Sequence, residues 1–220
     1  RFAPQFHRQK GLSLEEVVEA VIDGMKKGLG ECPNMTASLI LCMMIGMPEE
    51  DNLAVLDVAK KYFGAGVGAV DRAGAERMRD LSLDRPLFER ASKLDLPYTI
   101  HAGECGSFEN IKTAIDLGAK RIGHGVAAYK DPSTIDLLVK TQVPIEVCVI
   151  SNLQTIATPP EEVHPIKKLL DAGVAVTINT DNRTVSGTTL DREYEYIINN
   201  CGFTEADILK CQENAKRSFF

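Results

Sequence analysis

Tyr98-Thr99-Ile100-His101-Ala102-Gly103-Glu104 is a short apolar run that passes into a histidine, a glycine and a glutamate. Tyr98–His101 reads as a buried strand, and titratable residues stand where it stops. The same pattern recurs along the chain. Val67–Val70 reads as a strand ending at Asp71, and Arg121–His124 as one closed by Gly123-His124-Gly125. Pro144–Ile150 is apolar and β-branched, holds Cys148 and is followed by Ser151-Asn152. Val174–Asn179 leads into Asp181-Asn182, and Ala37–Met44 completes six strands, with Phe2-Ala3-Pro4 as a possible further strand end.

Longer amphipathic segments lie between these runs. Helices are predicted from Ser13 onward with a Ser13…Glu16 capping box, and over Glu49–Phe63, Arg85–Leu94, Ser107–Leu117 and Pro132–Thr141. Further helices are predicted over Glu162–Ala172 with Gly173 just past its end, over Thr188–Asn200 and over Thr204–Phe219. Strands of about five residues alternating with helices of about 10–15 argue for βα units and a parallel sheet. The strand runs are apolar on both faces, as a sheet covered by helices requires. No linker divides the chain, so a single α/β domain over 1–220 is expected.

Composition narrows the function. The 220 residues carry 25 Lys+Arg against 31 Asp+Glu, a net charge of −6, which disfavours a nucleic-acid partner. No run of 18 apolar residues is present, so no membrane-spanning helix is expected. The six cysteines form no C-x-x-C pair, and reduced, mostly buried thiols in a cytoplasmic protein are expected. Cys148, in an apolar strand, is a poor candidate for a catalytic thiolate.

Polar groups at the C-terminal ends of successive strands converge on one mouth in a barrel, where function sits. Two histidines and a carboxylate there suit zinc chemistry. Glu104, three residues after His101 across a turn that Gly103 permits, can face the same cavity as a proton donor. The glycines around His124 allow close approach of backbone and ligand.

The combination His101-Ala102-Gly103-Glu104, Gly123-His124-Gly125, Ser151-Asn152 and Asn179-Thr180-Asp181 resembles the adenosine deaminases, within the metal-dependent amidohydrolase barrels. The likeness extends over essentially the whole chain. Arg1-Phe2-Ala3-Pro4 resembles the end of the family's second strand, Asp71-x-Ala73-Gly74-x-Glu76 its fourth strand end, and Phe203-Thr204-Glu205 with Asn214-Ala215 its closing helices. The resemblance implies a (β/α)8 TIM barrel, here lacking strand one and most of strand two. It implies zinc-dependent hydrolytic deamination of adenosine, a small purine nucleoside. His101 would be a zinc ligand or a close partner of the metal site, and Asp181 a zinc ligand. His124 would orient or deprotonate the attacking water, and Asp181 would accept a hydrogen bond from it. Glu104 would hold a proton at purine N1, and the Gly74 N–H would contact purine N3.

Several positions depart from the family pattern. Asn182 stands where a second Asp often follows; its amide donates to purine N7 without needing an added proton. Cys148-Val149-Ile150-Ser151 lacks the Pro-Thr that often follows this cysteine. The four histidines are His7, His101, His124 and His164, and no His-x-His supplies the family's two further zinc ligands. His7 is read as part of a surface loop or lid, and His164, before Pro165, as a capping or packing residue.

Three readings remain open. The first is adenosine deamination; the second is deamination of adenine or another aminopurine by the same residues; the third is a truncated barrel kept as a non-catalytic binding protein. A cytidine-deaminase type of site is disfavoured because neither H-x-E nor P-C-x-x-C occurs, and a serine hydrolase because no G-x-S-x-G occurs. A complete barrel takes about 250 residues, so the chain is expected to be the later part of a longer one. The coding sequence upstream of Arg1 is therefore expected to encode a His-x-His. The 220 residues alone are expected to bind zinc weakly and to give no turnover, and measurable deamination by the isolated chain would overturn that.

Overall fold

A computed structural model describes residues 1–105 and 107–220. Six parallel strands alternate with helices, and the strand order in the sheet follows the sequence. The chain gathers into two compact units, Arg1–Thr99 with Phe220, and Ile100–Phe219. The first holds α1 (Leu14–Glu31), β1 (Leu39–Met44), α2 (Glu49–Lys61), β2 (Val67–Ala73) and α3 (Arg85–Lys93). Strand β3 (Tyr98–Ala102) begins in the first unit and ends in the second. The second continues with α4 (Phe108–Asp116), β4 (Arg121–His124), α5 (Pro132–Thr141), β5 (Ile145–Val147), α6 (Val149–Gln154) and α7 (Ile166–Asp171). It closes with β6 (Val176–Ile178), α8 (Arg183–Ser186), α9 (Leu190–Cys201) and α10 (Glu205–Arg217). Among the described residues, no helix is long and apolar enough to cross a membrane.

In the first unit, β1 and β2 pair in parallel with Cys42 opposite Asp71 and Met44 opposite Ala73. Asp71 therefore lies inside β2 rather than at its end, because β1 continues alongside it for two more residues. Phe2 bonds to the other edge of β1, donating to the Ile40 carbonyl at 3.1 Å and accepting from Cys42 N–H at 2.9 Å. This is the strand end expected of Phe2-Ala3-Pro4. The α1 capping box forms as predicted: Ser13 Oγ accepts from Glu16 N–H at 3.2 Å, and Glu16 Oε2 from Ser13 N–H at 2.8 Å. His7 ends a short 3-10 turn on the exposed surface.

In the second unit, β4, β5 and β6 pair through Ile122, Ile145 and Val176, and then Gly123, Glu146 and Thr177. Ile100, Ile111, Ile122, Leu138, Ile145, Ile166 and Val176 are all fully buried. Two boundaries differ from the sequence reading. The run Pro144–Ile150 is strand only over Ile145–Val147; Val149 and Ile150 already belong to α6, whose first turn is capped by a distant carboxylate described below. Glu162–Ala172 is helical only from Ile166, because the residue before a proline is driven out of the helical region and Pro165 stands at the cap. Gly173, with φ +93°, does end α7 as expected.

Ile145 has no exposed surface and sits at the centre of the β4-β5-β6 ladder. Ile145→Ala is expected to cost about 2–5 kcal/mol in urea unfolding, from lost burial and the cavity left behind. An unchanged midpoint would contradict this packing.

Candidate functional site

The polar strand ends of the second unit are joined by short local turns. After β3 the chain reverses at Gly103, φ +77°, where a Cβ would lie 2.6 Å from Ile111 Cδ1. Glycine is thus required both by conformation and by space, and the turn delivers Glu104. At the end of β4, His124 itself takes a left-handed conformation, φ +61°. Two backbone bonds tie these turns together: Gly125 N–H to the Ala102 carbonyl at 3.1 Å and Ala127 N–H to the Gly103 carbonyl at 2.8 Å. Gly123 has no room for a side chain, since a Cβ would lie 3.1 Å from His101 Cα. The His101 and His124 rings lie 5.1 Å apart at 58°.

Glu104 and His124 face each other, with Glu104 Oε2 3.5 Å from His124 Nε2. The other carboxyl oxygen, Oε1, is 3.2 Å from Thr155 Oγ1. His124 is 2% exposed, and its Nδ1 lies 3.0 Å from Nδ2 of the fully buried Asn152. Asp181, also at positive φ (+56°), accepts from Ser151 Oγ at 2.8 Å. Asn182 caps α8, its Oδ1 accepting from Thr184 and Val185 N–H at 3.1 Å each.

Helix α6 supplies Ser151 and Asn152, and Thr155 is its C-terminal cap. Its first turn is held by Glu193 of α9, which is fully buried. Glu193 Oε2 accepts from Ile150 N–H at 3.2 Å and Oε1 from Thr188 Oγ1 at 3.1 Å. Burial raises the Glu193 carboxyl above its ordinary value, and these hydrogen bonds oppose the rise. Behind Asn152 lies His164, 3% exposed, with Nε2 3.4 Å from Asn152 Oδ1 and Nδ1 accepting from Ile166 N–H at 3.2 Å. The expected capping role of His164 is thus found, and with it a contact to the site that its sequence position did not reveal. Glu193, Thr155 and the side-chain role of Asn152 were likewise absent from the sequence reading. The nearest signal was Ser151-Asn152 following the strand.

Among the predicted site residues, His101, Glu104, His124, Asp181 and Asn182 all lie in the second unit. Gly74 lies in the first, just past β2, with φ +113° and space that Ile45 closes to 3.4 Å from a Cβ. Asp71, also in the first unit, is fully buried and pairs with Arg1 Nε at 3.0 Å. An imidazole and a carboxylate, His101 and Asp181, are donor types that suit zinc. Among the described residues, however, no group of three or more His, Cys, Asp or Glu side chains could hold a metal ion. The donor types of His101 and Asp181 suit zinc, and two donors are fewer than a zinc site takes.

The family model described as adenosine deaminase matches residues 1–220. An adenosine deaminase of Clostridium kluyveri is 43% identical over 221 residues, covering 100% of this chain and 63% of its own length. The chain thus spans under two thirds of that relative. A solved adenine deaminase from Arthrobacter aurescens is 28% identical with a TM-score of 0.86, over 99% of this chain and 66% of that one. A solved amidohydrolase of B. ambifaria, described with bound Zn, is 23% identical and shares the fold, with a TM-score of 0.89 over 96% of this chain and 59% of that one.

Burial pushes the His164 imidazole from its ordinary 6.5 down to about 4. The unfolded chain takes up this proton below about 6.5 and the folded chain only below about 4, so the contribution is complete above 6.5 and lost as pH falls towards 4. The difference corresponds to about 3 kcal/mol. The thermal midpoint is expected to fall across that window, and the fall is expected to flatten in His164→Gln.

Proposed function

The chain belongs to the adenosine deaminase family, and on that premise we propose that the full-length protein hydrolyses adenosine to inosine and ammonia. The observation that carries this reading is the facing pair at adjoining strand ends, His124 buried and Glu104 partly exposed beside it. Glu104 delivers a proton to purine N1, which weakens the aromaticity of the ring and opens C6 to water. His124 orients that water and stabilises the charge that develops as its oxygen bonds to C6. The C6–N bond then breaks, the amino group takes one of the water's protons and leaves as ammonia, the other proton returns to Glu104, and inosine remains.

The proton-donor role requires Glu104 to be protonated when substrate is bound, and Thr155 can accept a hydrogen bond from that form. Thr155 Oγ1 lies 3.0 Å from the Ser151 carbonyl and 3.2 Å from Glu104 Oε1, yet it has one hydrogen to give. With that hydrogen on Ser151, the Thr155 oxygen accepts from an Oε1–H. The Gly74 N–H is proposed to contact purine N3, and the Asn182 amide purine N7. Its Oδ1 is occupied as the α8 cap, which leaves the Nδ2 group to donate.

Zinc is the proposed metal, held in part by His101 and Asp181; when bound it lowers the pKa of its water and makes hydroxide available near neutral pH. Ser151 fixes the Asp181 carboxylate for that role. The proposed setting is the cytoplasm, in keeping with Cys42, Cys148, Cys201 and Cys211, which are buried as free thiols.

A second reading, deamination of adenine, is favoured by the likeness to the A. aurescens adenine deaminase. Ultraviolet absorbance assays on the full-length protein separate the two: faster turnover of adenosine than adenine is expected, and the reverse order would establish the second reading. Glu104→Gln is expected to lower kcat by about 10²–10⁴-fold, the range for loss of a general acid. Unchanged turnover would remove Glu104 from its role.

A further inference from the structure

We propose that His164 is a positioning residue, which acts through Asn152 to fix the tautomer of His124 so that its Nε2–H points at Glu104. This inference deepens the deaminase reading and rests on it for its catalytic consequence. The Ile166 backbone N–H can only donate, so His164 Nδ1, 3.2 Å away, accepts. A neutral imidazole has one N–H, which must then be on His164 Nε2. That nitrogen faces Asn152 Oδ1 at 3.4 Å, and an amide oxygen can only accept. The direction of the Asn152 amide follows: its Nδ2 faces His124 Nδ1 at 3.0 Å and donates to it. His124 Nδ1 therefore carries no proton, and the proton of its neutral ring is on Nε2, 3.5 Å from Glu104 Oε2.

The alternative arrangement is internally inconsistent. Flipping Asn152 would set its NH₂ against His164 Nε2–H, donor against donor. Water is excluded from repairing the mismatch, since Asn152 has no exposed surface and His124 and His164 have 2% and 3%. Desolvation also keeps His164 neutral at physiological pH, as the chain of donors and acceptors needs.

The tautomer matters for the proposed reaction. With Nε2–H directed at Oε2, that oxygen is an acceptor, and a proton on Glu104 is left to Oε1, beside Thr155. With the opposite tautomer, two lone pairs would meet at 3.5 Å whenever Oε2 was unprotonated. Partners that orient a functional imidazole through its other nitrogen are a recurrent device, and their loss typically costs about 10–100-fold.

The test uses the full-length protein, ¹⁵N-labelled at histidine, with His164→Met, His164→Gln and Asn152→Asp. In the unaltered protein the His124 Nδ1 resonance is expected in the unprotonated range and Nε2 in the protonated range. His164→Met removes the donor to Asn152, so mixed tautomers are expected at His124. The kcat is then expected to fall about tenfold with little change in KM. His164→Gln keeps an N–H aimed at Asn152 and is expected to restore both the single tautomer and kcat. If His164→Met fails to fold, Asn152→Asp decides: a carboxylate only accepts, so the His124 proton should move to Nδ1. A proton on His124 Nδ1 in the unaltered protein would overturn the proposal. So would an Nε2–H tautomer that persists in a folded His164→Met or in Asn152→Asp. Loss of the single tautomer in a protein that deaminates no purine would uphold the positioning role and overturn the deaminase reading, so the two claims fail separately.

Discussion

His124 is held in a backbone conformation that few non-glycine residues adopt, and its ring is almost wholly out of water. Such a side chain is pinned by its neighbours, and the hydrogen bond from Asn152 Nδ2 gives it direction. The geometry of the candidate site follows from that bond. It sets which imidazole nitrogen faces Glu104, and it needs α6 to start immediately after β5, so that Asn152 comes level with the end of β4.

Helix α6 is the organising element of the second unit's strand ends. Within six residues it and its cap send Ser151 to Asp181 after β6, Asn152 to His124 at the end of β4, and Thr155 to Glu104 after β3. A helix this short has almost no stability of its own. It is held because Glu193 takes up a backbone N–H of its first turn and because Val149, Ser151 and Asn152 are buried. Burying the Glu193 carboxylate costs free energy that its hydrogen bonds only partly offset. The position of the site thus depends on a buried acid contributed by α9, more than forty residues further along the chain.

Much of this was legible in the sequence. Each of the six apolar runs holds one of the six strands, because strands covered on both faces are mostly apolar. The boxes Ser13/Glu16 and Thr204/Asp207 mark true helix starts, because capping is a local chemistry. Long-range causes were invisible. Cys148-Val149-Ile150 has β-branched propensity for strand, yet Val149 and Ile150 are helical because a distant glutamate caps them. Nothing local distinguishes Glu193 from the solvated charges around it in α9. The position of His164 before Pro165 suits capping or packing, and its Nδ1 accepts from Ile166 N–H, but its second nitrogen reaches Asn152 only once the chain is folded. The chain gathers into two compact units, divided inside β3.

The strand ends of the second unit are proposed as one part of a metal-dependent deaminase centre, with His101 and Asp181 as the donors they contribute. Zinc-edge anomalous diffraction from crystals of the full-length protein tests that claim directly. A single strong peak in contact with both the His101 ring and the Asp181 carboxylate is expected. A zinc-loaded crystal whose peak touches neither side chain would contradict it.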